Sequence, residues 1–139
     1  MQMTFLEPFV APIRDSDKAQ ALMFATFCAI AADWVFGTAI AFLMKEYSSE
    51  KARHGMVHKG CFVGMLMVGV LLDGVISTGF SPALGKGVFV ATCLYVCLTE
   101  CMSLMETFVK YNPQAAGAPI LRTLKKAQEA IAAAEGGEE

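Results

Sequence analysis

The chain has 139 residues, of which 55% are hydrophobic and only 17% are charged. This length suits one domain, and the net charge of −2 excludes a strongly basic nucleic-acid-binding protein. The charged residues are concentrated in a few segments, whereas a soluble protein distributes them along every amphipathic element. The composition therefore favours a membrane protein.

Residues 1–18 form a distinct N-terminal segment in which apolar side chains alternate with charges. Pro8 and Pro12 exclude one continuous helix across it, and it lacks the basic start of a signal peptide. We interpret it as an interfacial segment lying on the membrane surface, with disorder as the alternative.

The first predicted transmembrane helix covers about residues 19–44, enough to cross a hydrocarbon core about 30 Å thick. Asp33 lies near its centre. Small residues, among them Ala29 and Gly37, recur every four positions around it, and this spacing lets two helix backbones approach closely within a membrane. We therefore predict that Asp33 lies on a packing face and not on the lipid face.

A polar connection, residues 45–59, separates the first two spans. Two histidines, His54 and His58, lie four positions apart in it, but the H-E-x-x-H pattern is absent and no third ligand is nearby. We interpret them as solvated side chains and predict no metal site and no cofactor. The connection also carries four cations: Lys45, Lys51, Arg53 and Lys59.

The second predicted span covers about residues 60–80. Gly60 and Gly64 form a G-x-x-x-G pattern that favours tight helix packing, and Asp73 lies past the middle of the span. Residues 77–87 are rich in glycine and contain a proline, which predicts a short turn.

The third predicted span, about residues 88–109, carries Glu100 near its middle. An unpaired carboxylate at that depth costs about 2.5–3.5 kcal/mol. At 100° per residue, the polar side chains of this helix occupy about a third of its circumference, and this arc must face other helices or water. The arc comprises Thr92, Thr99, Glu100, Ser103, Glu106, Thr107 and Lys110.

Three of the five cysteines, Cys93, Cys97 and Cys101, form a stripe beside the polar arc. No C-x-x-C pattern occurs, so neither a zinc site nor a redox pair is predicted. The stripe is interpreted as small packing residues, with crosslinking between copies as the alternative.

The C-terminal tail, residues 110–139, is predicted to form an amphipathic helix after Pro119. Its basic residues, Arg122, Lys125 and Lys126, suit an anionic leaflet, and its apolar seam suits pairing with other copies. Eight Lys and Arg residues lie on the side of the tail and the first connection, and three on the other side. This asymmetry predicts a cytoplasmic C-terminus and an external N-terminus.

Asp33, Asp73 and Glu100 are therefore predicted at one depth, one in each helix. No basic residue lies in the middle of a predicted span to pair with them. Two interpretations stay open. The acids are protonated and hydrogen-bond between helices, or they line a hydrated lumen in an assembled state.

Several stretches carry a recognisable pattern across about residues 31–128. The most specific is E-x-x-S-x-x-E at 100–106, followed by a proline and a basic tail at 117–126. Together with D-W-V-F-G at 33–37 and Asp73, they resemble the small three-span holins of the phage-lysis and toxin-secretion type. The expected fold is an all-α membrane protein with three transmembrane helices and a C-terminal amphipathic cytoplasmic helix.

The resemblance implies a homo-oligomer in the bacterial cytoplasmic membrane that opens lesions at a set time, so that an endolysin reaches the wall or a toxin leaves. The arc carrying Glu100, Ser103, Glu106 and Lys110 would line the lesion, and Asp33 and Asp73 would gate it or hold the closed packing. Two alternatives stay open: a small ion or proton channel, and a membrane adaptor whose tail binds a soluble partner. No enzymatic motif is found.

Overall fold

The computed structural model describes residues 6–80 and 87–135. Three of its helices are long and apolar enough to cross a membrane, which confirms the predicted fold class. The predicted turn falls largely on residues 81–86, outside the described residues. The elements are α1 (Glu7–Arg14), α2 (Asp17–Leu43), α3 (Ser49–Gly79), α4 (Val88–Tyr111), a 3-10 turn (Pro113–Gly117) and α5 (Pro119–Glu135).

α4 is the central element of the bundle. α2 and α3 each pack along it, whereas they make few contacts with each other. The buried apolar cluster between the three helices is small, which suits a protein whose outer surface faces lipid. Its members are Ala19 of α2, Phe62 and Leu66 of α3, and Phe89, Cys93 and Val96 of α4.

α3 begins earlier than the second predicted span. It starts at Ser49, with Glu50 in its first turn, where an acidic side chain favours the helix dipole. The helix therefore runs through most of the predicted polar connection, which hydropathy alone had separated from the apolar run. Lys59 consequently lies inside a helix and not in a loop.

The structure shows the N-terminal segment as a short helix, α1, folded back onto the bundle. The ring of Phe9 lies so close to Gly74 of α3 that a Cβ atom there would overlap it. The Gln20 side chain donates to the carbonyl oxygens of Ile13 (3.3 Å) and Arg14 (2.6 Å), which satisfies the end of α1. The segment is helical over Glu7–Arg14, and residues 1–5 lie outside the described residues.

The helices approach one another closely at small residues other than the predicted ones. A Cβ atom at Gly69 would lie 3.3 Å from the Phe89 backbone, and the buried Thr26 hydroxyl donates to the Cys93 carbonyl oxygen (3.1 Å). A Cβ atom at Gly37, Gly60 or Gly64 would meet nothing within 4 Å, and Ala29 is only half-buried. The three glycines therefore mark no close helix approach within the chain, and the packing role of all four residues between copies stays a prediction.

Candidate functional site

Three charged side chains meet inside the bundle, one from each long helix. The Lys59 ammonium of α3 lies 2.6 Å from Asp33 Oδ2 of α2, and it also donates to Glu100 Oε2 of α4. This ion triad is the one place among the described residues where a single side chain bridges all three long helices.

The triad members lie at a common depth. Asp33 precedes the end of α2 by ten residues, and Lys59 follows the start of α3 by ten residues. Glu100 precedes the end of α4 by eleven residues. At 1.5 Å per residue, all three lie about 15 Å from the connection end, where α2 ends and α3 begins. The triad therefore occupies one level near the middle of the bundle.

The triad is desolvated, and its two carboxyl groups outnumber its one ammonium. The side chains of Lys59 and Asp33 are 15% exposed and that of Glu100 is 1% exposed. Two carboxylates share one ammonium, and Glu100 Oε1 has no hydrogen-bond partner among the described residues. Because a buried charge is costly unless it is paired, water or a proton at Glu100 would lower the cost of burying the second carboxyl group.

Lys59 corrects the expectation that no basic residue lies in the middle of a span to pair with the acids. Lys59 was assigned to the polar connection. Because α3 starts at Ser49, Lys59 lies ten residues inside this helix and within the bundle. The spacing offered a signal, since Lys59 precedes the buried Phe62 and Leu66 by three and seven residues, which places it on the α4-facing side of α3.

Asp73 is not part of the triad. Its two carboxylate oxygens accept hydrogen bonds from the backbone amides of Val88 (3.0 Å) and Phe89 (3.1 Å), at the start of α4. This start lies twelve residues before Glu100, about 18 Å along the helix axis. The expectation of three acids at one depth is therefore wrong for Asp73. This acid is 2% exposed and supplies the cap that α4 lacks locally.

The predicted polar arc of α4 divides into three parts. The hydroxyls of Thr92, Thr99 and Thr107 donate to carbonyl oxygens of their own helix. Glu100 points into the triad, whereas Ser103, Glu106 and Lys110 are exposed on the outer surface. Only Glu100 thus contributes to the closed site, and the lumen-lining role of the others stays a prediction.

Comparison with known families supports the assignment that this architecture suggests. The model of the bacteriophage holin family matches residues 17–133, which include all three long helices and most of α5. The chain belongs to this family. No protein of curated function and no solved structure matches the chain.

The match confirms the resemblance read from the sequence, and it makes this protein a holin-type, membrane-integral protein of a pore-forming, oligomerising family. It begins at Asp17, so α1 lies outside the matched region. The holin fold proper is therefore the three-helix bundle with its tail, and α1 is packed onto it.

A second polar cluster closes the connection end of the holin bundle. Glu46 Oε2 accepts hydrogen bonds from Lys110 Nζ (3.3 Å) and from the Tyr111 hydroxyl (3.2 Å). The bond from Lys110, followed by that from Tyr111, holds the pKa of Glu46 below its usual range. The cluster ties the segment after α2 to the end of α4, but its side chains are solvated, so each contact is weak.

The basic tail of the holin leaves the bundle on the same side. Leu121 of α5 is buried, which anchors this helix against the end of α4. Arg122, Lys125 and Lys126 are all exposed. Their charge is therefore available to a surface outside the bundle.

Proposed function

We propose that this holin is a homo-oligomeric pore former of the bacterial cytoplasmic membrane. At a set time it opens lesions through which an endolysin reaches the cell wall, or through which a protein toxin leaves. It acts without catalysis. The observation that carries the proposal is the ion triad of Asp33, Lys59 and Glu100, which holds the three long helices together through a buried and unbalanced charge.

The triad supports a protein with two states. In the closed bundle the charges of the triad are inside and large apolar side chains cover most of the outside, which suits a chain surrounded by lipids. When water reaches the triad, the attraction between two charges 4 Å apart falls from about 4 kcal/mol to about 1 kcal/mol. Hydration thus removes the force that holds the helices together, and neighbouring copies can then form a polar-lined opening.

The exposed polar residues of α4 support assembly. Ser103 and Glu106 lie on the outer surface of a helix that crosses the membrane, where lipid cannot satisfy them. A second copy or a water-filled lumen can. We therefore propose that Glu100, Ser103, Glu106 and Lys110 line the open lesion, that Asp33 gates it, and that Asp73 holds the closed packing.

The orientation follows from the distribution of charge. Without Lys59, which lies in the triad, seven Lys and Arg residues remain on the side of the first connection and the tail, against three on the other side. This asymmetry still supports a C-terminus in the cytoplasm and an N-terminus outside. Arg122, Lys125 and Lys126 then face the cytoplasmic leaflet. An endolysin takes part without needing to touch the holin.

One observation favours a second candidate, a small ion or proton channel. Glu100 Oε1 is buried and has no partner among the described residues, as expected of a site that takes up a proton or a cation. Such a channel would conduct steadily and leave its host alive. Permeability to protein-sized molecules would exclude it.

The test is induced expression in bacteria, with culture density and membrane potential recorded with and without a co-expressed endolysin. We expect an abrupt collapse of the potential after a delay, and lysis only when the endolysin is present. A slow, steady ion leak would contradict the proposal and favour the channel. Continued growth at full potential, with the protein confirmed in the membrane, would reject both.

Glu100→Gln tests the triad in the same assay. The change removes the excess charge and leaves Lys59 paired with Asp33, so we expect a later collapse, with roughly tenfold slower opening for each ~1.4 kcal/mol gained by the closed state. Glu50→Gln, at the exposed start of α3, is the matched control and should not change the delay. An unchanged delay with Glu100→Gln would remove Glu100 from the mechanism.

A further inference from the structure

A groove runs between α2 and α3, the two long helices that make few contacts with each other. It contains one cavity of about 190 Å³ at the connection end and one of about 400 Å³ farther along α2. Trp34 and Lys59 line both cavities, so the two adjoin each other along the groove beside the ion triad.

The connection-end part of the groove contains several polar side chains and one lysine that makes no ion pair among the described residues. Lys51 lines it, is exposed, and makes no ion pair among the described residues. Glu46 and Asp33 also line it, but their carboxylates are already bound by Lys110 and Lys59. The Lys51 charge also acts on Glu46 from a distance, but its ammonium makes no direct contact with that carboxylate, so an anionic group entering this part of the groove can contact it.

The other part of the groove is apolar. Phe27, Ile30 and Met56 line it, and Lys59, already paired, is its only charged lining residue. From Ala41 to Phe27 the groove follows α2 for fourteen residues, about 21 Å, which equals about one leaflet of a bilayer with its headgroups. An apolar groove open to lipid is filled by acyl chains, because an empty one would forgo its dispersion contacts.

We propose that this groove binds an anionic phospholipid of the surrounding bilayer. The headgroup phosphate contacts Lys51, and an acyl chain lies along Phe27 and Ile30. Polar side chains are confined to the connection-end part and the other part is apolar over the length of one leaflet, which matches the polarity of such a lipid. The bound lipid keeps α2 and α3 apart and lies against the Lys59–Asp33 pair, which makes the triad sensitive to the lipid composition.

The chain carries a probe for this site, because Trp34 is its only tryptophan and lines both cavities. The full chain is reconstituted into phosphatidylcholine vesicles that contain a small fraction of acyl-brominated phosphatidylglycerol or acyl-brominated phosphatidylcholine. We expect the anionic lipid to quench Trp34 fluorescence at about fivefold lower mole fraction, the ratio expected for one lysine near an anionic headgroup.

Two variants locate the effect. Lys51→Gln should abolish the preference for the anionic lipid and leave quenching by brominated phosphatidylcholine unchanged. Arg53→Gln removes an equally exposed cation of α3 that does not line the groove, so it should keep the preference.

Three results would overturn the proposal. Equal quenching by both lipids would mean unselective contact with the bilayer, and a preference that survives Lys51→Gln would place the lipid elsewhere. Absence of quenching by either lipid would mean that protein, such as a second copy, fills the groove. Quenching of Trp34 is measured without opening a lesion, so its result does not depend on the proposed function.

Discussion

The two ends of the holin bundle are held together in different ways. From the middle of the bundle to the connection end, the contacts are the Lys59 triad, the Glu46–Lys110 pair and one edge contact between the Phe36 and Phe108 rings, and a groove separates α2 from α3. At the opposite end, apolar contacts and the buried Asp73 cap hold α3 to α4, and α1 packs over α3.

The difference indicates where opening starts. Water weakens ion pairs by raising the local dielectric constant, whereas apolar packing is a response to water and persists in its presence. We therefore expect the connection end to separate first, with the opposite end acting as the joint around which the helices move. The predictions below test this division, from the largest expected effect to the smallest.

Lys59→Met is expected to lower the stability of the folded chain most. It leaves Asp33 and Glu100 buried without a cation, and removing one partner of a buried ion pair costs roughly 3–5 kcal/mol. Thermal unfolding in detergent should show this loss, and cells should lose their membrane potential earlier. Arg53→Met is the matched control, because that exposed residue of α3 makes no ion pair among the described residues.

A triple variant with a neutral triad shows whether charge or lost packing causes the instability of Lys59→Met. Lys59→Met combined with Asp33→Asn and Glu100→Gln leaves no buried charge, so most of the lost stability should return. If the triple variant is as unstable as Lys59→Met alone, charge imbalance is not the cause.

Gly74→Ala, at the end of the bundle opposite the connection, is expected to have an intermediate effect on stability. The new methyl group overlaps the Phe9 ring, and such overpacking costs about 1–3 kcal/mol. Phe9→Ala should relieve the overlap, so the double variant should be no less stable than Phe9→Ala alone. Thermal unfolding of the wild type and the three variants measures this coupling. Strictly additive losses would mean that α1 does not pack on Gly74.

The smallest effect is expected at Glu46, where the contacts are solvated. Because Lys110 and Tyr111 lower the pKa of Glu46 in the folded chain, its contribution is present above the ordinary carboxyl pKa of about 4.3. It disappears as the pH falls through the lowered value. Wild type should therefore unfold at a slightly higher temperature than Glu46→Gln near neutral pH, and at the same temperature in strong acid. A difference that grows on acidification would have the wrong sign.

Much of the fold could be predicted from the sequence. Long apolar runs and the helix after Pro119 depend only on local composition and periodicity, and the structure has all of them. The start of α3 at Ser49 could not be predicted, because hydropathy marks where a helix enters lipid and not where it begins.

The site was harder to predict, because it depends on which helix faces which. Asp33 and Glu100 were recognised as buried acids, but their cation, Lys59, was assigned to a loop. Asp73 was recognised as buried, but its partners are backbone amides of the next helix, which no side-chain pattern reveals. Similarly, Gly69 lies against α4 whereas Gly60 and Gly64 contact nothing there, although all three are glycines of one helix.

The position of α4 between α2 and α3 also sets the order in which the triad is completed. The first two long helices are synthesised before α4, and they carry Asp33 and Lys59, one negative and one positive charge. The unfinished hairpin is thus electrically balanced at this level. The second carboxyl group arrives only with Glu100. The last long helix to be synthesised therefore completes the bundle and also brings the acid that outnumbers the single ammonium.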